Sequence, residues 1–207
     1  MIKNRIGEFV FDWSKRIAQG MALHFLWLAF TLCGLVVFGL FPATAALYGV
    51  IRKRFIYKEE VPLFKTFFNT YKTKFIELNL LMSVFAIIGL FLYADFIISS
   101  HFIQSPILHI LLLGIILVYG LMLIFFFPVY SHFNLSKWTY LKQSLLLPLA
   151  RPGESLLAIL AVGVLWTFSL WLPVLFLFIG ASLVAYPLAW IAFRAFGKLE
   201  AAKGTGN

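Results

Sequence analysis

Apolar residues run along this chain in long uninterrupted stretches, at about 20–51, 76–99, 106–130 and 154–193. A helix needs about 20 apolar residues to cross a bilayer. The second and third stretches therefore predict one spanning helix each. The last, about forty residues long, predicts two, broken at Trp171-Leu172-Pro173, because proline suits the first turn of a new helix. The runs are continuous rather than alternating over about ten residues, which argues against a membrane β-barrel. The first stretch is ambiguous by length alone.

The segments between these runs are amphipathic. Ile2, Ile6, Phe9, Val10, Trp13 and Ile17 recur at helical spacing, and Lys3, Arg5, Lys15 and Arg16 occupy much of the remaining surface. Such a helix, 1–19, is expected to lie among anionic headgroups with Lys3, Arg5, Trp13, Lys15 and Arg16 at the lipid interface. A second interfacial helix is expected at 59–75. Phe64, Phe67, Phe68 and Tyr71 share one face of it, and Glu59 and Glu60 stand at its start, where negative charge favours a helix N-terminus. Its aromatic content exceeds what anchoring requires, so these four residues are candidate partner contacts. The 133–152 connection supplies five more: Trp138, Leu141, Pro148, Arg151 and Pro152. Its ending, Leu147-Pro148-Leu149-Ala150-Arg151-Pro152, resembles the close of the cytoplasmic coupling loop of importer-type ABC permeases, without that motif's Glu-Ala-Ala start or internal glycine. The alternative reading is a re-entry turn in which prolines stop one helix before the next.

Composition places the whole in the membrane class. Of 207 residues, 62% are hydrophobic and 12% charged, against roughly half and a quarter in soluble chains. The net charge of +9 is arranged topologically. The bases fall into four groups: Lys3 to Arg16, Arg52 to Lys74, Lys137 to Arg151, and Arg194 to Lys203. If each group stays in the cytoplasm, an even number of crossings separates successive groups. This predicts an all-α polytopic transmembrane bundle with six crossings as three hairpins, 20–56, 76–132 and 154–197, followed by a tail, 198–207. Both termini would be cytoplasmic. A five-crossing version, with one long first helix, would leave Lys3 to Arg16 outside. Phe41-Pro42, Phe127-Pro128 and Tyr186-Pro187 form a weak internal echo of the three hairpins. The basic start, the apolar run from Met21 and Ala43-Thr44-Ala45 imitate a signal peptide, but the apolar run is too long and is followed by more membrane-like sequence.

Little chemistry is legible. The eight acids map to interfaces or inner segments, with only Asp95 expected near the outer face. Asp95, His101 and His109 could meet at an outer mouth, but are more simply solvated loop groups. No His-Glu-x-x-His, Ser-Lys or phosphate-loop motif occurs. The reading is a non-enzyme with no cofactor, no metal and no nucleic-acid partner. The single Cys33 excludes a disulfide within the chain. Small residues four apart, Ala45 and Gly49, then Ala181, Ala185 and Ala189, predict close helix packing.

The block Leu35 to Leu47, which includes Phe41-Pro42-Ala43-Thr44, resembles the YesL-like family of small, mostly Gram-positive bacterial membrane proteins. Pro62-Leu63-Phe64-Lys65-Thr66-Phe67, Arg151-Pro152 and Arg194-Ala195-Phe196 extend the likeness over nearly the whole chain. The resemblance implies no catalytic residues. Members are often encoded beside carbohydrate-importing ABC permeases and glycan-degrading enzymes. The resemblance therefore implies an auxiliary subunit that stabilises or regulates such a transporter, contacting its permease and ATPase. The alternative is a small autonomous transporter or channel for a sugar-related or other small solute.

Overall fold

Prolines and one strained turn divide the chain into helices. The computed structural model describes residues 2–56, 60–103 and 105–204, apart from the side chains of 2–7, 10, 12, 55–56, 102–103 and 200–204. Among the described residues there are seven α-helices and no strand: α1 (Ile2–Cys33), α2 (Val37–Ile56), α3 (Leu63–Ile98), α4 (Pro106–His132), α5 (Lys137–Ala150), α6 (Pro152–Trp171) and α7 (Pro173–Gly204). A π-helical turn, Ser99–Ile103, follows α3. Pro106, Pro152 and Pro173 occupy first turns, where a missing N–H costs nothing. Arg151 alone separates α5 from α6, and Leu172 alone separates α6 from α7.

The α1–α2 turn is different in kind. Leu35 and Val36 adopt φ of 57° and 62°, a left-handed conformation unusual for any side chain and especially for β-branched valine. Val36 N–H reaches back to Thr31 O at 2.9 Å, which closes the end of α1. Gly34 and Gly39 let the two backbones touch. A Cβ on Gly34 would lie 2.3 Å from Gly39 Cα, and one on Gly39 would lie 2.3 Å from Thr31 O.

The bundle is all-α and polytopic. Among the described residues, five helical segments are long and apolar enough to cross a bilayer, by length and composition: Trp13–Cys33, Leu63–His101, Pro106–His132, Pro152–Trp171 and Pro173–Leu199. α2 is not among them, because Arg52, Lys53 and Arg54 occupy its last turns. Two boundaries drawn from periodicity shift. Within the expected segments 1–19 and 59–75, residues 2–19 and 63–75 are not separate surface helices. Each runs without a break into the apolar helix that follows, because no proline intervenes and the lone Gly20 does not stop a helix. With 36 residues, α3 is about 54 Å long, well beyond the roughly 30 Å of a hydrocarbon core. The tail assigned to 198–207 begins as a continuation of α7.

Two cores share α7. One joins α3, α4, α5 and α7 through Leu78, Phe85, Phe126, Val129, Tyr140 and Phe196. The other joins α1, α2, the start of α3 and α7 through Leu23, Ala43, Ala46, Phe67, Ala185 and Ala189. Ala185 and Ala189 of α7 share this core with Ala43 and Ala46 of α2, whereas Ala45 packs in the other core and Gly49 lies against Thr70 of α3. Polar bonds cross these seams. Ser182 Oγ donates to Gly20 O at 2.7 Å, and Trp27 Nε1 donates to Thr44 Oγ1 at 3.0 Å. His24 bridges α7: its Nε2 donates to Leu177 O at 2.8 Å and its Nδ1 accepts from Ala181 N–H at 3.1 Å. Those two backbone groups are four residues apart, the partners of one helical rung.

The bases gather at one end of the bundle. Arg52 Nη1 donates to Ser131 O at 2.7 Å, Lys74 pairs with Glu77 at 3.0 Å, and Lys198 pairs with Glu154. At the same end His132, closing α4, packs on Phe193 and Phe196 of α7.

Candidate functional site

α5 is clamped along this basic end. Ser136 and Thr139 hydroxyls meet at 2.7 Å across its first turn. Tyr140 OH donates to Phe133 O and accepts from Leu135 N–H, both at 3.1 Å, which locks the link from α4. Its ring lies 4.6 Å from that of Tyr130. At the other end, Pro148 O would accept from residue 152 in a continuing helix, but Pro152 has no N–H. Ser155 Oγ supplies the missing donor at 2.7 Å. Tyr140, Ser144, Leu147 and Pro148 form the buried face. Trp138, Lys142, Leu146 and Leu149 form the opposite, exposed one, with Trp138 at 73% exposure.

The residues expected to bind a partner are therefore not equivalent. Trp138 and Pro152 are exposed and Arg151 is half-buried, but Leu141 packs against the core and Pro148 is buried. In α3, Phe67 is fully buried, while Phe64 is 61% exposed and Phe68 is 40% exposed. The aromatic excess that suggested docking has an intramolecular cause. Phe30 of α1 packs among Phe64, Phe67, Phe68 and Tyr71, with ring centroids 4.9–6.1 Å away. Tyr71 OH donates to Phe30 O at 3.0 Å. The 64–71 segment packs on α1 and α2, whereas α5 packs on α4 and α6.

The lipid-interface residues divide as well. Lys15 pairs with Glu60 at 2.8 Å, and its hydrogen bond and charge hold the Glu60 carboxyl below the usual carboxylate range. Trp13 and Arg16 instead line a cleft. The side chains of Lys3 and Arg5 lie outside the described ones.

That cleft, of about 670 Å³, was not legible in the chain's periodicity. α1 and α6 both pack along α7, and the cleft lies between them. Leu165, Ile179 and Leu183 form apolar walls; Trp13, Arg16, Gln19, Arg54 and Tyr186 supply the polar groups. Arg54 arrives from the end of α2, held by Nη1 to Gln19 Oε1 and by a 3.5 Å contact of Nη2 with Val61 O. Its Nε is buried without a hydrogen-bond partner. Only the clustering of bases at helix ends hinted at such a site.

Among the described residues, no three His, Cys, Asp or Glu side chains come together as a metal site. His109 rests its ring 4.8 Å from that of Phe96.

Residues 21–96 match the family described as "Protein of unknown function, DUF624". The chain is 38% identical over 195 residues to the uncharacterized protein YteU of Bacillus subtilis (strain 168), covering 91% of this chain and 84% of that one. It is 35% identical over 200 residues to the uncharacterized protein YesL of the same organism, covering 96% and 93%. A third relative there, the uncharacterized protein YesV, is 32% identical over 203 residues, with 97% of each chain covered. No solved structure matches. With relatives of this identity spanning nearly its whole length, and with the bundle of apolar helices, the chain belongs to the YesL-like, DUF624 family of multi-pass membrane proteins.

Proposed function

We propose that this protein is a non-enzymatic accessory subunit that binds and stabilises or regulates a carbohydrate-importing ABC transporter in the bacterial cell membrane. The observation that carries the reading is α5. It is a short amphipathic helix, clamped between α4 and α6 at the basic end, and it presents Trp138, Leu146 and Leu149 outward. A fixed helix with an exposed tryptophan suits docking, because buried aromatic anchors dominate interface energies and a rigid element loses little entropy on binding. The likeness of its ending to a permease coupling loop and the family's genetic neighbourhood point to the same class of partner.

In this proposal the basic end faces the cytoplasm, by the rule that Lys and Arg stay inside. The α1–α2 turn at Gly34 to Gly39 lies against Tyr71, and Asn79 bonds to Phe38 O, on the stretch of α3 that also carries Lys72 and Lys74. α1 and α2 then count as a partial first hairpin that enters from the basic end and returns to it. In a Cys33→Ser background, Phe38→Cys and Lys53→Cys are both expected to label from inside. Labelling of position 38 from outside alone would overturn the partial span in favour of three complete hairpins.

Copurification from the native host in mild detergent tests the function itself. A permease and an ATPase are expected to accompany the protein, and Trp138→Ala is expected to lower their recovery about tenfold or more, in the range of an interface anchor. Recovery of neither subunit, with solute uptake by the purified protein alone in liposomes, would replace this reading with that of an autonomous transporter.

A further inference from the structure

We infer that the cleft between α1, α6 and α7 is a binding site for an anionic phospholipid, with its phosphate at Arg16 and Arg54 and an acyl chain along Leu165, Ile179 and Leu183. The inference stands apart from docking at α5, since the cleft lies on other faces of the bundle.

Three features carry it. The first is shape: α1 and α6 flank α7 without packing closely on each other, so the space between them opens sideways along the helices. The second is polarity by position. Gly20 and Ile179 approach closely at one end, where a Cβ on Gly20 would lie 3.1 Å from Ile179 Cδ1. α1 and α7 run antiparallel here, since Gly20 meets Ser182 and His24 meets Leu177. The cleft therefore extends from that apolar end toward Trp13, Arg16, Tyr186 and Pro187, at the end that carries the bases. An amphiphile has the same layout.

The third feature is charge. Among the described residues, Arg54 is held by a neutral amide and a backbone carbonyl, and its Nε has no hydrogen-bond partner. Glu60, an acid close enough to feel Arg54, is already paired with Lys15. Two guanidiniums beside a tyrosine and a tryptophan suit a phosphate at the membrane surface, because guanidinium matches phosphate geometry and the amphipathic rings sit at headgroup level. A free phosphate would use only the polar end and leave the apolar walls without a function.

The test is lipid binding to the full-length protein, measured by native mass spectrometry after purification in mild detergent. The probes are phosphatidylglycerol, phosphatidylcholine and inorganic phosphate. Phosphatidylglycerol is expected to bind most tightly, with Arg16→Gln and Arg54→Gln each weakening it roughly fivefold, the amount that one cation near a membrane surface contributes. Arg54→Gln also removes a tie to Gln19, so exposed Arg16 serves as the variant that leaves the fold intact. Leu165→Trp, which narrows the apolar wall and leaves the charge unchanged, is expected to weaken the lipid as well. Lys142→Gln on exposed α5 is expected to leave binding unchanged. The assignment is overturned if phosphatidylcholine binds as tightly. It is also overturned if inorganic phosphate displaces the lipid at equal concentration, or if Lys142→Gln weakens binding as much as Arg16→Gln does.

Discussion

The two ends of this bundle have similar apolar sequence and opposite packing. Toward the basic end, Leu121, Phe125, Phe126, Val129 and Tyr130 of α4 are buried, as are Ala185, Leu188, Ala192 and Phe196 of α7. Toward the other end the same two helices expose Ile107, Ile110 and Leu111, and Val174 and Leu177. α6 ends in Trp171 at 81% exposure. Hydrophobicity cannot account for the contrast, because lipid tails accept leucine as readily as a protein core does. What distinguishes the basic end is fit: alanines that let backbones approach and interlocked aromatic rings.

The largest expected effect comes from removing a ring at the closed end. Phe126→Ala is expected to destabilise by about 3 kcal/mol, while Leu90→Ala at the open end should stay within about 0.5 kcal/mol. Equilibrium unfolding in one detergent or bicelle system measures both, and equal losses would break the comparison. Gly39→Ala comes next, with an expected cost of about 1–3 kcal/mol, because the new Cβ would press against Thr31 O at the α1–α2 turn. A melting scan of this variant should show a lower transition, whereas Gly114→Ala, whose Cβ would meet open space, should not.

The smallest effect concerns Glu60. Its carboxyl is held below the usual range by Lys15, so its contribution to stability is present above the unfolded carboxylate range, near pH 4.3. It is lost as pH falls through the lowered folded value. Glu60→Gln should therefore melt slightly below wild type at pH 7 and converge with it in acid. A constant difference down to low pH would show that the pair is electrostatically idle.

Helix identity was legible because its causes are local. Pro152 and Pro173 start helices wherever the fold places them, and bases at helix ends appear directly in the sequence. The role of individual aromatics was not. Phe64 and Phe67 occupy adjacent turns of the same amphipathic face, yet one is exposed and the other fully buried. The difference lies in α2, whose Leu47, Val50 and Ile51 enclose Phe67 in the core, while Phe64 stays outside that cluster and meets Phe30 and Phe68. Periodicity alone separates interfacial helices at 1–19 and 59–75 from the spans that follow, for a related reason. Periodicity reports a change of surroundings along a helix and is silent on whether the helix itself stops.

The sequence by itself determined that the chain is an all-helical membrane protein, where most of its helices break, and that its charge collects in four groups. Lipid requires each backbone polar group to be satisfied within its own segment, so these properties depend on neighbours along the chain. Only the tertiary structure decided which ends pack and which stand open, and that Arg16, Arg54 and Tyr186 share one cleft. Those residues come from three helices, and no spacing rule relates positions on different helices until small side chains and crossing hydrogen bonds have set the distances between them.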